Sequence, residues 1–452
     1  MASPPAAANI MSDPFTSEAS ARLAARTGDP AWLAEVRSAA FSLFSSLPWP
    51  DGTEEEWRHT DLSGLDFTSL TTEVAAPTAV GGLDAVPAQA QDALGVVGDR
   101  AGLAVHVDAV AVHQSLDPSL AARGVIFTSL ARAATEHEEL VKAWLGRCGV
   151  SGHEAKIVAL NSAFRGDGVF VYVPAGVEVA FPIQTLHWLS REGVLVCPRV
   201  VVVAEESSSI TYIDVYTSAA LKDPSVNASA VEIYAAPSAN VSYLAVQDLA
   251  QSVWHFHVQR AVIDRDASVR SLAVTLGGRM SRSLVESLLD GRGAHSEMLG
   301  VYFGDHEQHI DNRSLQAHRA PDTTSELYYK GALKGSSHAV YSGLVHITKG
   351  AQKSDAQQTN RNLLLSDGAI ADPKPFLEIE TNDVRCSHAV SVGRPDDEVL
   401  FYLQSRGLSA ADAERLYVKG FFQEVLDRVS VPEMRTALER AVEDELALED
   451  SP

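Results

Sequence analysis

Cys386 and His388 stand two residues apart at the end of the segment Glu378-Ile379-Glu380-Thr381-Asn382-Asp383-Val384-Arg385-Cys386-Ser387-His388. In an extended chain that spacing projects both side chains from one face. A soft thiolate beside an imidazole suits iron or an iron-sulfur cluster, but two donors leave the coordination incomplete. A buried thiol next to a hydrogen-bonded histidine satisfies the same pattern. Two histidine pairs raise the metal question again: His255-Phe256-His257, with both imidazoles on one strand face, and His306 with His309. Two ligands are not a site, and an exposed strand face or a loop carries such pairs without metal, so neither pair is taken forward as ligands. Asp305, Glu307, Asp311 and Asp322 form a polar stretch. A carbohydrate-cleaving solenoid would need two or more carboxylates at set separations, whereas a solvated acidic face requires no such order.

Other chemistries are excluded by what the chain lacks. Gly331-Ala332-Leu333-Lys334-Gly335-Ser336 has the residue types of a phosphate-binding loop in the wrong order, so nucleotide hydrolysis by this chain alone is not expected. No Gly-x-Ser-x-Gly elbow, His-Glu-x-x-His helix or Gly-x-Gly-x-x-Gly turn occurs. The three cysteines, Cys148, Cys197 and Cys386, form neither a disulfide framework nor a Cys-x-x-Cys motif. That usage fits a reducing, cytoplasmic setting. A net charge of -23 opposes binding to nucleic-acid phosphates or anionic lipid. The N-terminus lacks the basic and apolar regions of a secretory signal, and the apolar run from Val194 to Ala204 is broken by Pro198 and Arg199, far short of a membrane span.

The elements that must position Cys386 and His388 follow from periodicity. Residues 1–15 are rich in Ala, Pro and Ser and read as a flexible leader. Residues 16–150 are expected to be mainly helical, with a hairpin whose apolar stripe includes Leu23, Trp32, Val36 and Phe44, and a second helical stretch from Ser129 to Leu145. From about residue 155 the pattern changes to short runs such as Val169-Phe170-Val171-Tyr172-Val173 and Val200-Val201-Val202-Val203-Ala204, bounded by Gly, Asn, Asp, Ser and Pro. Linkers beginning near Glu206, Pro237, Asp266 and Gly293 recur at roughly 27 to 31 residues, a period that marks stacked repeats. A mainly β fold with a β-solenoid core over 151–398 is the economical reading, with a sandwich as the alternative. Residues 399–452 return to a helical pattern, with starts at Ser409 and at Ser430-Val431-Pro432-Glu433.

Four stretches carry a family resemblance: Glu55-Glu56-Trp57-Arg58-His59-Thr60-Asp61-Leu62, Gln358-Thr359-Asn360-Arg361-Asn362-Leu363-Leu364-Leu365-Ser366, Leu377-Glu378-Ile379 through Cys386-Ser387-His388, and Leu400-Phe401-Tyr402-Leu403-Gln404-Ser405-Arg406-Gly407. Together they resemble the SufB/SufD family of iron-sulfur cluster assembly proteins, on its SufD side. The resemblance implies a right-handed parallel β-helix core flanked by helical regions. It also implies a non-catalytic scaffold role in the SUF system: pairing with a SufB-like subunit, binding of a SufC-like ATPase, and a transient iron-sulfur cluster shared with the partner subunit. A homodimer of the isolated chain is an alternative state. His388 is the metal-binding position carried over, Cys386 its neighbour in cluster binding, and Tyr417, Phe421 and Phe422 are candidates for the partner interface. The SufB-like members have a cysteine where Leu403 stands, and leucine cannot ligate iron or carry sulfur. A self-associating SufB-like scaffold is therefore the alternative reading. Family members often continue Cys-Ser-His with Gly-Ala-Thr, whereas Ala389-Val390-Ser391 follows here.

Overall fold

The computed structural model describes residues 14–72, 83, 86–147 and 154–447. Most of the leader, Cys148 and the last five residues lie outside them. The core is a β-solenoid: from Ile183–Leu189 to Arg385–Gly393 the chain alternates between two sheets, and nearly every strand pairs in parallel with the strand one coil earlier. The first sheet ends on Arg385–Gly393 and the second on Ile370–Ile379.

The sequence period becomes a coil length. Along the first sheet, residues 209, 240, 268, 295, 324, 355 and 385 are aligned neighbours, so successive coils take 27 to 31 residues. Each coil turns the same corner with one left-handed residue: Ser207, Ser238, Asp266, Gly293, Asp322 and Lys353 all have φ between 55° and 72°. Each of these N–H groups donates to a carbonyl of the next coil, for example Ser238 to Arg265 and Asp322 to Gln352 at 2.9 Å. The cost of the left-handed conformation is thereby offset by a ladder hydrogen bond. A small side chain follows at each corner (Ser208, Ala239, Ala267, Ala294, Thr323, Ser354), fully buried where the sheets converge.

Helices outweigh strands in the N-terminal region, and the stretch expected from Ser129 to Leu145 forms Leu130–Glu136 and Glu138–Trp144, but strands occur there as well. Gly102–Val107, Val110–Leu116 and Ile126–Ser129 are strands that begin the two sheets. Val110–Leu116 pairs antiparallel with Gly102–Val107 in the first sheet, and Ile126–Ser129 pairs antiparallel with Gly168–Val173 in the second, and the two close that end of the stack. The reason is tertiary: short apolar runs such as Leu103-Ala104-Val105 find strand partners one coil away, which overrides local preference. Helices do occur at Ser17–Thr27, Ala31–Ser46 and Glu154–Phe164, and with Trp57 they cover the outer face of the second sheet.

At the other end Ser409 caps helix Ala410–Leu426 by accepting from the Asp412 N–H, as its position predicts. Val418, Phe422, Val425 and Leu426 from this helix pack on Leu299, Val301, Phe303 and Tyr328 of the first sheet's outer face. Lys330, almost wholly buried, donates to Glu424 at 2.6 Å and locks the helix in place. Among the described residues no helix is long and apolar enough to cross a membrane.

Candidate functional site

The two ends of the solenoid are built differently. The N-terminal end is closed by antiparallel strands and helices, whereas the last strand of each sheet leaves one edge unpaired. An unpaired edge offers a row of backbone N–H and C=O groups to another chain. The edge of Ile370–Ile379 is blunted by Pro373 and Pro375, which donate no hydrogen bond. Arg385–Gly393 contains no proline. Large apolar side chains remain exposed here: Phe376, Ile379, Val390 and Val392, and Val399, Phe401 and Tyr402 on the helix Asp397–Ser405 that follows. Large apolar side chains left exposed at one end of a fold are a mark of an interaction site.

Cys386 and His388 lie on this end. They align with Ala356 and Gln358 of the preceding coil, whose side chains are buried between the sheets, so both point to the inward face. The two-residue spacing thus does place them on one face, and the fold puts that face at the mouth of the stack. They differ in access. Cys386 is half-buried against Ala356, Leu377 and Val384. Burial, followed by the neighbouring Asp355 charge, raises its thiol above the usual range and favours the protonated form, which is a poor ligand. His388 is exposed and makes no hydrogen bond or ion pair among the described residues. It is the more available donor of the two, and a single imidazole requires other donors to complete any iron or cluster site. Leu403, on the adjoining helix, is half-buried and adds none.

The interface candidates separate. Phe422 is fully buried in the helix-to-sheet core, which corrects the expectation that it presents a surface; its burial holds the helix down. Tyr417 and Phe421 are half-buried beside it, with Phe421 edge-on to Phe422 at 5.2 Å between ring centroids and against the Lys330 ammonium.

The histidine pairs resolve differently from their sequence appearance. His255 and His257 do share a face, but it is the interior, where they lie with His106, His187, Asp214, Tyr216 and Tyr243. Asp214 accepts from Tyr216 and Tyr243, each at 2.7 Å, and pairs with His187 at 2.9 Å. Burial alone would raise the Asp214 carboxyl, but His187 and these hydrogen bonds outweigh it and hold the group below its ordinary value. His306 occupies a left-handed turn, whereas His309 is a strand residue next to His338 in the ladder. Of the acidic stretch, Asp311 is fully buried and paired with Arg282 and Arg313, and Asp322 is a corner residue. Neither stands as one of two facing carboxylates.

One grouping had no signal in the sequence: His59, His338 and Asp372, drawn from segments more than 270 residues apart, lie together on the outer face of the second sheet. Periodicity shows which face of a strand a residue takes but not which loop folds over it.

Taken together, the fold and its unfinished end define a solenoid scaffold that offers strand edges, apolar surface and one free imidazole to another chain. Family comparison agrees with that class. The SufBD core domain of the SUF system for FeS cluster assembly matches residues 187–421, and the SufBD protein N-terminal region matches residues 100–185, starting where the first strand does. The chain therefore belongs to the SufBD family of iron-sulfur cluster assembly proteins. It is 29% identical over 416 residues to the iron-sulfur cluster assembly protein SufD of Bacillus subtilis, covering 92% of this chain and 94% of that one. An iron-sulfur cluster assembly SufBD family protein of Mycobacterium leprae is 34% identical over 346 residues, 74% of this chain and 86% of the relative. A SufBD family protein of Staphylococcus epidermidis is 27% identical over 403 residues, 87% of this chain and 85% of the relative.

Proposed function

We propose that this chain is a non-catalytic, cytoplasmic, SufD-like subunit of a SUF scaffold. It pairs through the open end of its solenoid with a SufB-like subunit and contributes His388 to a nascent iron-sulfur cluster held between them. The observation that carries this reading is the unfinished last coil: a free, proline-less edge strand with His388, Val390 and Val392 on its inward face. Strand addition along Arg385–Gly393 would satisfy the edge, cover the apolar side chains and bring a partner's ligands to His388. The cluster is the cargo of this arrangement, and Cys386, half-buried and biased toward the thiol, plays the lesser part. A SufC-like ATPase docks on the C-terminal helices, where Tyr417 and Phe421 are the partly accessible aromatics. Leu403 favours this role over that of a self-sufficient SufB-like scaffold, and two copies meet at the same end when no partner is present.

Co-expression with SufB-like and SufC-like proteins, followed by anaerobic purification and iron and sulfide analysis, tests the reading. A three-component complex is expected. Val390→Lys, which places a charge in the contact without disturbing a buried residue, is expected to weaken pairing by at least about a hundredfold. His388→Ala is expected to leave the complex intact and lower cluster yield several-fold. A complex indifferent to Val390→Lys would move the interface elsewhere, and an unchanged yield would remove His388 from the site.

A further inference from the structure

We propose that His59, His338 and Asp372 form a binding site for a divalent first-row transition metal on the outer face of the second sheet, on a different sheet from His388. Each residue offers one donor atom, and these atoms lie within 4.8 Å of one another. His338 Nε2 is 2.8 Å from Asp372 Oδ2, and His59 Nδ1 is 3.9 Å from the same oxygen. Donors around such an ion, at bond lengths near 2.1 Å, stand roughly 3 to 3.5 Å apart, so small side-chain rotations close the site. Two imidazoles and a carboxylate suit Fe(II), Co(II) or Zn(II), and three protein donors leave open positions for water or an exchanging ligand.

The framework is rigid. His338 starts the strand His338–Ile347, and Asp372 lies on the neighbouring Ile370–Ile379, two positions past the residue aligned with His338. His59 comes from the N-terminal segment, two residues after Trp57, whose fully buried ring lies 3.6 Å from the Arg282 guanidinium carbon. His309, adjacent to His338 in the ladder with ring centroids 5.1 Å apart, supports the site from the other side.

Lys374 controls it. Its Nζ lies 2.7 Å from His59 Nε2 and 3.8 Å from Glu55 Oε1. An ammonium only donates, so His59 Nε2 must accept and the ring proton must sit on Nδ1, facing Asp372. A metal at Nε2 would take the ammonium's place; a metal at Nδ1 would shift the proton to Nε2, against the ammonium. Either way Lys374 must leave, and Glu55 offers it a counter-charge within reach. Lys374 is thus a resident cation that a metal replaces.

The test uses the full chain, stripped with chelator and titrated anaerobically with Co(II), read by visible absorption and equilibrium dialysis. One tightly bound Co(II) is expected. His338→Ala and Asp372→Asn should each weaken it by at least about a hundredfold, beyond the 10- to 100-fold that loss of a supporting contact costs. His346→Ala, at the neighbouring but more exposed grouping with Glu378 and Glu380, should leave it unchanged. Lys374→Met should tighten binding by about tenfold through removal of a nearby like charge, a gain that misfolding cannot produce. No Co(II) binding, binding that survives Asp372→Asn, weaker binding in Lys374→Met, or a signal lost instead in His388→Ala would each overturn the proposal.

Discussion

Lowering the pH from 7.5 to 5 is expected to destabilise this protein steeply, with most of the loss below pH 6.5. Four buried histidines set the effect. Burial is the main cause of lowering in each: His106 is held at about 3, His257 and His318 at about 4, and His255 well below the ordinary 6.5. The groups facing His106, His255 and His257 are His187, Asp214 and Tyr216, with Ser229 bonded to His257 at 2.7 Å. His318 is fixed by the hydroxyls of Thr323 and Ser325 at 2.7 and 2.8 Å. Above pH 6.5 neither the folded nor the unfolded chain protonates these rings, and they contribute no pH dependence. Between 6.5 and the folded values only the unfolded chain takes up protons, so each histidine removes about 1.4 kcal/mol of stability per pH unit. Four of them remove on the order of 5 kcal/mol per unit, against a typical total of about 5–15 kcal/mol. The carboxylates of Asp214 and Asp311, both held below 3.8, act with the opposite history: they stabilise the fold above that value and lose their contribution only as the pH falls below it. Urea-unfolding midpoints at pH 7.5, 6.5, 5.5 and 5.0 measure the slope. A midpoint that stays flat across this range would show the interior histidines to be charged or solvated in the folded state.

Those same histidines mark the limit of what the sequence displayed. The coil period was readable because each corner needs a small or turn-forming residue, and Ser207-Ser208, Ser238-Ala239, Asp266-Ala267 and Gly293-Ala294 supply it at regular intervals. The facing of a strand was readable too, since alternation puts Cys386 with His388 and His255 with His257. Which face is the interior was not readable, because this solenoid fills part of its interior with polar groups: Tyr302, Asn360 and Asn362 hydrogen-bond to one another there, as do Tyr341 and Gln358. An interior of that kind defeats a rule that equates polar with exposed. The early strands were missed for a related reason. Gly102–Val107 becomes a strand through its parallel partner Ile183–Leu189, some eighty residues later, and no local window contains that pairing. The three residues of the outer metal grouping are separated still further, and only the fold brings them together.

The segment Glu55–Leu62, one of the four stretches of family resemblance, is expected to act as a clamp, and Asp311→Ala is expected to release it at a cost of about 3–5 kcal/mol. Asp311 lies on the outer face of the second sheet, fully buried. One of its oxygens pairs with Arg282 and accepts from the Thr60 hydroxyl at 2.6 Å, and the other accepts from Arg313 Nε at 3.1 Å. Arg282 also donates to the Glu56 carbonyl at 3.1 Å and lies against the Trp57 ring. Two cations, one carboxylate and one indole thus fasten residues 56–60 to the sheet. Removing the carboxylate takes a counter-charge from the buried Arg282 guanidinium and from the half-buried Arg313, which costs far more than the net worth of the pair. The double variant Arg282→Met with Asp311→Ala removes a charge of each sign and is expected to recover part of the loss, whereas additive losses would mean that the two residues act independently. Urea unfolding gives the energy, and limited proteolysis of the folded chain gives the location, with new cleavage expected between residues 50 and 66. A wild-type midpoint and cleavage pattern for Asp311→Ala would refute the clamp. Because His59 follows Trp57 by two residues, Asp311→Ala should also weaken Co(II) binding on the outer face while leaving pairing through Arg385–Gly393 unaffected, since that edge belongs to the other sheet.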